Sequence, residues 1–78
     1  MENETKADKF RRLAEGRTKQ ILDGIRKLAN LANNHSYAYT EQDINRIFRT
    51  LEEHLDLARH RFHAELKFAQ GARGNFKL

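Results

Sequence analysis

The side chains here that could do chemistry are cations, four histidines and two tyrosines, with no cysteine among them. Lys9, Arg12, Lys19, Arg26 and Lys27 recur at intervals that place them on one side of a helix turning about 100° per residue. Phosphate backbones need spaced cations and little geometry, so this strip is a candidate nucleic-acid face. The plainer reading is a solvated helix surface. Asp8–Arg12, Glu15–Lys19 and Asp23–Lys27 are acid-then-base pairs at i,i+4, each stabilising a helix by roughly 0.2–0.5 kcal/mol. Further on, Arg46, Arg49 and Arg59 are interleaved with Glu52, Glu53 and Asp56, whereas Arg73 and Lys77 have no such neighbours.

Tyr37 and Tyr39 lie beside His35 in a short polar stretch, where exposed aromatics could stack on unpaired bases. The structural alternative is that Tyr39 staples a helix start and Tyr37 covers the end of a bundle. His54, His60 and His63 invite a metal reading, but at helical spacing His60 and His63 project from the outer face and His54 from the edge of the apolar seam. Bundle metal sites need His and carboxylates pointing inward together. No glycine-rich phosphate loop follows a strand, and no nucleophile–base–orienter set is evident. Neither catalysis nor a cofactor or metal is expected.

Arg17 is the oddest residue. It falls in the middle of an otherwise apolar stripe, between Phe10 and Ile21. A buried, unpaired guanidinium would be too costly, so it must snorkel, pair across a dimer, or meet a ligand.

The elements that carry these residues are two helices. There is no proline, and the four glycines stand at 16, 24, 71 and 74. The first helix is expected over about residues 5–33, with Thr5 as N-cap and Asp8 as its capping partner. Its stripe comprises Phe10, Ala14, Ile21, Ile25, Leu28 and Ala32, flanked by Leu13 and Leu31. The second is expected over about 40–70: Thr40 caps, Glu41, Gln42 and Asp43 fill the first turn, and Tyr39 and Ile44 form a hydrophobic staple. Ile44, Phe48, Leu51, Leu55, Ala58, Phe62, Leu66 and Ala69 then make a near-heptad seam, and Gly71 is placed to end the helix. Residues 34–39 are the turn, and residues 71–78 a basic tail expected to be flexible.

So short a turn predicts an all-α, antiparallel two-helix hairpin. At 78 residues, such a hairpin makes a marginal core without a staple. Phe10, Ile21, Ile25, Leu28, Phe48, Leu51, Leu55 and Phe62 are the expected core and dimer-interface residues. One seam leaves Leu13, Leu22, Leu31, Ile47, Leu57 and Phe68 wet. Dimerisation into a four-helix bundle covers them; docking on a different protein and an intact monomer remain open. No apolar run approaches about 18 residues, so neither a membrane span nor a signal peptide is read. With no disulfide, a cytoplasmic location is expected.

The residues from Lys9 to Glu15, with Arg17, the stretch Ile25–Asn33, the segment Tyr37–Glu41, and the pairs Ile47-Phe48 and Leu51-Glu52 together resemble a family of short bacterial proteins carried on prophages and integrative elements. The resemblance spans roughly residues 8–62 and implies a mobile-element context without implying an activity. In architecture the chain is also similar to Rop-like plasmid copy-number regulators, helical hairpins that dimerise and bind RNA through a basic helix face; no residue-level motif transfers.

The functional expectation is a non-enzymatic accessory or regulatory protein of a mobile element. It would act as a homodimer and bind nucleic acid through a basic helix face, and the candidate nucleic-acid or partner-binding residues are Lys9, Arg12, Arg17, Lys19, Arg26, Lys27, Tyr37 and Arg73. The formal charge of +4 suits an anionic partner. The alternative is a protein-binding inhibitor, anti-CRISPR-like or otherwise anti-defence, that docks on a host nucleic-acid-handling complex. A structural subunit of a larger assembly is the third possibility.

Overall fold

The computed structural model describes the backbone of residues 3–74 and the side chains of residues 3–69. The fold is all-α, with α1 spanning Lys6–Ala29 and α2 spanning Glu41–Gly74, and a single 3₁₀ turn, Asn30–Ala32, closing α1. The chain divides into two units, Met1–Ala38 and Tyr39–Leu78, each built on one helix.

In the first unit, Thr5 holds an extended backbone (φ −76°, ψ 169°) and starts α1 with a reciprocal capping box. The Asp8 N–H donates to Thr5 Oγ1 at 3.0 Å, and the Thr5 N–H donates to Asp8 Oδ2 at 3.4 Å. Two donors that the helix cannot satisfy internally are thereby paired. Asp8 complements the positive end of the helix dipole, and Arg26 and Lys27 the negative end. The expected helix to about residue 33 is confirmed up to Ala29; beyond that the chain tightens to 3₁₀, a common way to use leftover carbonyls. Asn33 then turns the chain: its side-chain oxygen accepts from the His35 N–H (3.0 Å), and its carbonyl accepts from Ser36 (3.2 Å) and Tyr37 (3.0 Å).

The second unit repeats the same start. Asp43 N–H donates to Thr40 Oγ1 at 3.1 Å and Thr40 N–H to Asp43 Oδ2 at 2.9 Å, with Glu41 adding a second acid to the first turn. The C-terminal boundary differs from expectation. Gly71 does not end α2, which continues through it to Gly74, so the segment expected as a flexible tail begins as helix. A C′ glycine needs a positive φ, and no described glycine has one. Ala69, Gln70, Ala72 and Arg73 are good helix formers, no proline follows, and one glycine costs only about 1 kcal/mol relative to alanine. Asn75 to Leu78 lie outside the described residues.

Among the described residues none is buried. Leu28 is half-buried, while Phe10, Ile21, Ile25, Phe48, Leu51, Leu55 and Phe62 are exposed in the single chain. One amphipathic helix has nothing of its own to bury its stripe against, so these side chains need a surface beyond the helix that carries them.

The helical course of Gly71 has a measurable consequence. Gly71→Ala should raise helicity by far-UV circular dichroism and stabilise the protein by up to about 1 kcal/mol. Destabilisation would instead mark residue 71 as a left-handed helix terminator.

Candidate nucleic-acid interface

Six of the eight expected contact residues lie on α1, and Tyr37 follows it in the same unit. Lys9 to Lys27 covers five turns, about 27 Å at 1.5 Å per residue. That length corresponds to roughly eight phosphates along one strand of a duplex, at about 3.4 Å of helix axis each. Tyr37 is 49% exposed in the turn after α1, with its backbone anchored on Asn33. Arg73 lies in the final helical turn of α2, and its side chain is outside the described residues.

The pairing pattern departs from the i,i+4 expectation. Arg12 bonds Glu4, not Asp8, through two parallel contacts: Nε to Oε2 at 2.8 Å and Nη2 to Oε1 at 3.1 Å. Asp8 is already committed to the Thr5 cap and stands 3.5 Å from Arg11. Glu4 precedes the helix and has no intrahelical duty, which leaves it available to fold back onto Arg12. This pair was missed because helical spacing rules do not reach beyond the N-cap. Its hydrogen bond is the main reason the Glu4 carboxyl sits below the usual glutamate range, and likewise raises Arg12.

Asp23 serves two cations at once, Arg26 Nη1 at 2.7 Å and Lys27 Nζ at 3.4 Å. The Lys27 contact follows the expected spacing; Arg26 at i+3 was the unexpected half. One carboxylate cannot neutralise two cations, so a positive charge remains there. Among the described residues Glu15 and Lys19, expected as a pair, form no ion pair, and Lys9 has no acidic partner within 4.0 Å. A shallow surface depression lined by Ala14, Glu15, Thr18 and Lys19 lies along this part of α1.

Arg17 is exposed and has no ion-pair partner among the described residues, so the cost of burying it does not arise in the single chain. Its wheel position remains on the apolar stripe, facing away from the Lys19 side of α1. The structure therefore groups Lys9, Arg12, Lys19, Arg26 and Lys27 on one face and leaves Arg17 on another. In α2, Arg59 pairs with Asp56 at 2.8 Å, while Arg46 and Arg49 have no acid within 4.0 Å among the described residues. No group of three or more His, Asp or Glu side chains among the described residues is placed to share a metal ion. No described helix is long and apolar enough to cross a membrane.

Comparison with family models, curated proteins and solved structures finds no match to this chain.

The Glu4–Arg12 pair carries a pH dependence of fixed sign. A carboxyl depressed in the folded state stabilises above its unfolded pKa, and that contribution is lost as pH falls through the folded value. Both groups are exposed, so the effect on global stability is small. A carboxyl-detected titration should place the Glu4 midpoint below the ordinary glutamate range, and Arg12→Ala should raise it. A Glu4 midpoint that Arg12→Ala leaves unchanged would show that the pair does not persist in solution.

Proposed function

We propose that this protein is a non-enzymatic accessory or regulatory protein of a mobile element, acting in the cytoplasm as a homodimer that contacts nucleic-acid phosphates through α1. One observation carries this reading: the excess charge is concentrated in the α1 half. Residues 1–38 hold eight Lys and Arg against five Asp and Glu, while residues 39–78 hold seven against six. On α1, Lys9 and Lys19 have no acid within 4.0 Å among the described residues, and Arg26 and Lys27 share one carboxylate. Such a face binds by releasing counterions, without sequence preference from base contacts. Tyr37, exposed in the turn after α1, adds a stacking surface for an unpaired base. The mobile-element context rests on the resemblance over residues 8–62.

Phosphate binding predicts a log-linear loss of affinity with salt, steepening by about 0.9 for each cation engaged on duplex DNA and about 0.7 on single strands. Lys9→Gln and Lys19→Gln should each weaken retention of RNA or DNA and flatten the slope by about one such step. Glu4→Gln should do the reverse, since it frees Arg12. Absence of retention by the intact chain at low salt would overturn the reading.

A protein-binding inhibitor of a host nucleic-acid-handling complex is the second reading, and Arg17 favours it. A cation flanked along its stripe by Phe10 and Ile21, 58% and 55% exposed, offers the mixture of charge and apolar area that protein interfaces use. The two readings assign Arg17 differently. Under phosphate binding, Arg17→Leu leaves nucleic-acid affinity within about twofold, because the residue faces away from the strip. If Arg17→Leu keeps its helicity and nucleic-acid retention but abolishes docking on a purified host complex, the second reading takes precedence.

A further inference from the structure

α2 carries enough register information to say how a second copy would lie on it. Ile44, Phe48, Leu51, Leu55, Ala58 and Phe62 alternate steps of four and three, so Phe48, Leu55, Phe62 and Ala69 take heptad position a, and Ile44, Leu51, Ala58 and Glu65 take position d. The helix is continuous across all of them. Ile44, Phe48, Leu51 and Leu55 are 37%, 45%, 39% and 54% exposed in the single chain. The flanking e positions are Asn45, Glu52, Arg59 and Leu66, and the g positions are Ile47, His54, Arg61 and Phe68.

We infer that this face of α2 is occupied by α2 of a second copy, running antiparallel and centred between Leu55 and Ala58. The inference rests on the homodimer reading above and adds its direction and register. In antiparallel pairs, e faces e and g faces g; centring between Leu55 and Ala58 sets Glu52 opposite Arg59 of the second copy, twice by symmetry. The g positions then bring Ile47 against Phe68 of the second copy, covering two side chains that are 40% and 74% exposed alone. In the layers between them, Leu55 meets Ala58 and Leu51 meets Phe62, large against small and large against large around the two-fold axis. Glu65 falls beside Phe48 at the end of the seam. The least favourable flank is His54 opposite Arg61.

The alternatives fail on charge. A parallel, in-register pair stacks Glu65 on Glu65 in one d layer and forms no opposite-charge pair along its flanks. Sliding the antiparallel pair by one heptad places Glu52 against Glu52 in one direction and Arg59 against Arg59 in the other. Like charges so juxtaposed select against those arrangements.

Glu52→Arg and Arg59→Glu test the register by sedimentation equilibrium on the full chain, each alone and mixed in equal amounts. Each variant alone should raise the dimer dissociation constant at least about tenfold, because each replaces two opposite-charge pairs with two like-charge pairs. The mixture should return to within about threefold of the unaltered chain, since the heterodimer restores both pairs with the signs exchanged. Glu52→Arg also gains an intrahelical acid at i+4, Asp56, so lost dimerisation cannot be blamed on a weakened helix; circular dichroism checks this for both variants. A dimer that ignores the substitutions, or a mixture no better than its components, overturns the register and leaves the homodimer standing. An unaltered chain that stays monomeric at high micromolar concentration overturns both.

Discussion

A helix satisfies its own backbone, but it cannot cover its own apolar stripe. That constraint organises this molecule. α1 and α2 close their hydrogen bonds internally and begin with complete capping boxes at Thr5 and Thr40, so their local order is secured by residues a few positions apart. Their apolar stripes are a separate matter. Phe10, Ile21, Leu55 and Phe62 remain exposed in the single chain, and each needs a surface its own helix does not provide. The charged faces can remain in water at no cost, which leaves them available for ionic partners.

The same separation explains what was legible from residue order. Helix starts were legible because a cap is local chemistry: Thr-x-x-Asp specifies two reciprocal hydrogen bonds whatever lies elsewhere. The all-α class followed from the absence of proline and the period of the apolar residues. The end of α2 was not legible at Gly71, since a glycine permits a left-handed turn without requiring one. Ion pairing was legible only in part. Asp23–Lys27 follows helical spacing, whereas Arg12 chose Glu4 because Asp8 was already engaged by the cap and Glu4 lies outside the helix, where spacing rules say nothing. Competition for one carboxylate is a three-body matter, and pairwise spacing does not contain it.

Arg17 illustrates how a residue can look wrong on one scale and ordinary on another. On the helical wheel it interrupts an apolar stripe; in the single chain it is solvated and no cost is incurred. The tension returns only when something covers the stripe, and then the long aliphatic stem and mobile head decide how the cation is accommodated. Residues of this kind limit which surfaces can approach, and that makes them selective even where they add little affinity.

The paired Thr-x-x-Asp starts bear on kinetics as well as on structure. With helix order specified by contacts only three residues apart, α1 and α2 can form on the sub-microsecond to microsecond scale typical of local helix formation. Little is then left for slow intramolecular search, because the contacts that order each helix are short-range. In the homodimer proposed above, the slow step would pass from the chain to the encounter between chains, and maturation would then be governed by how abundant the protein is in the cell.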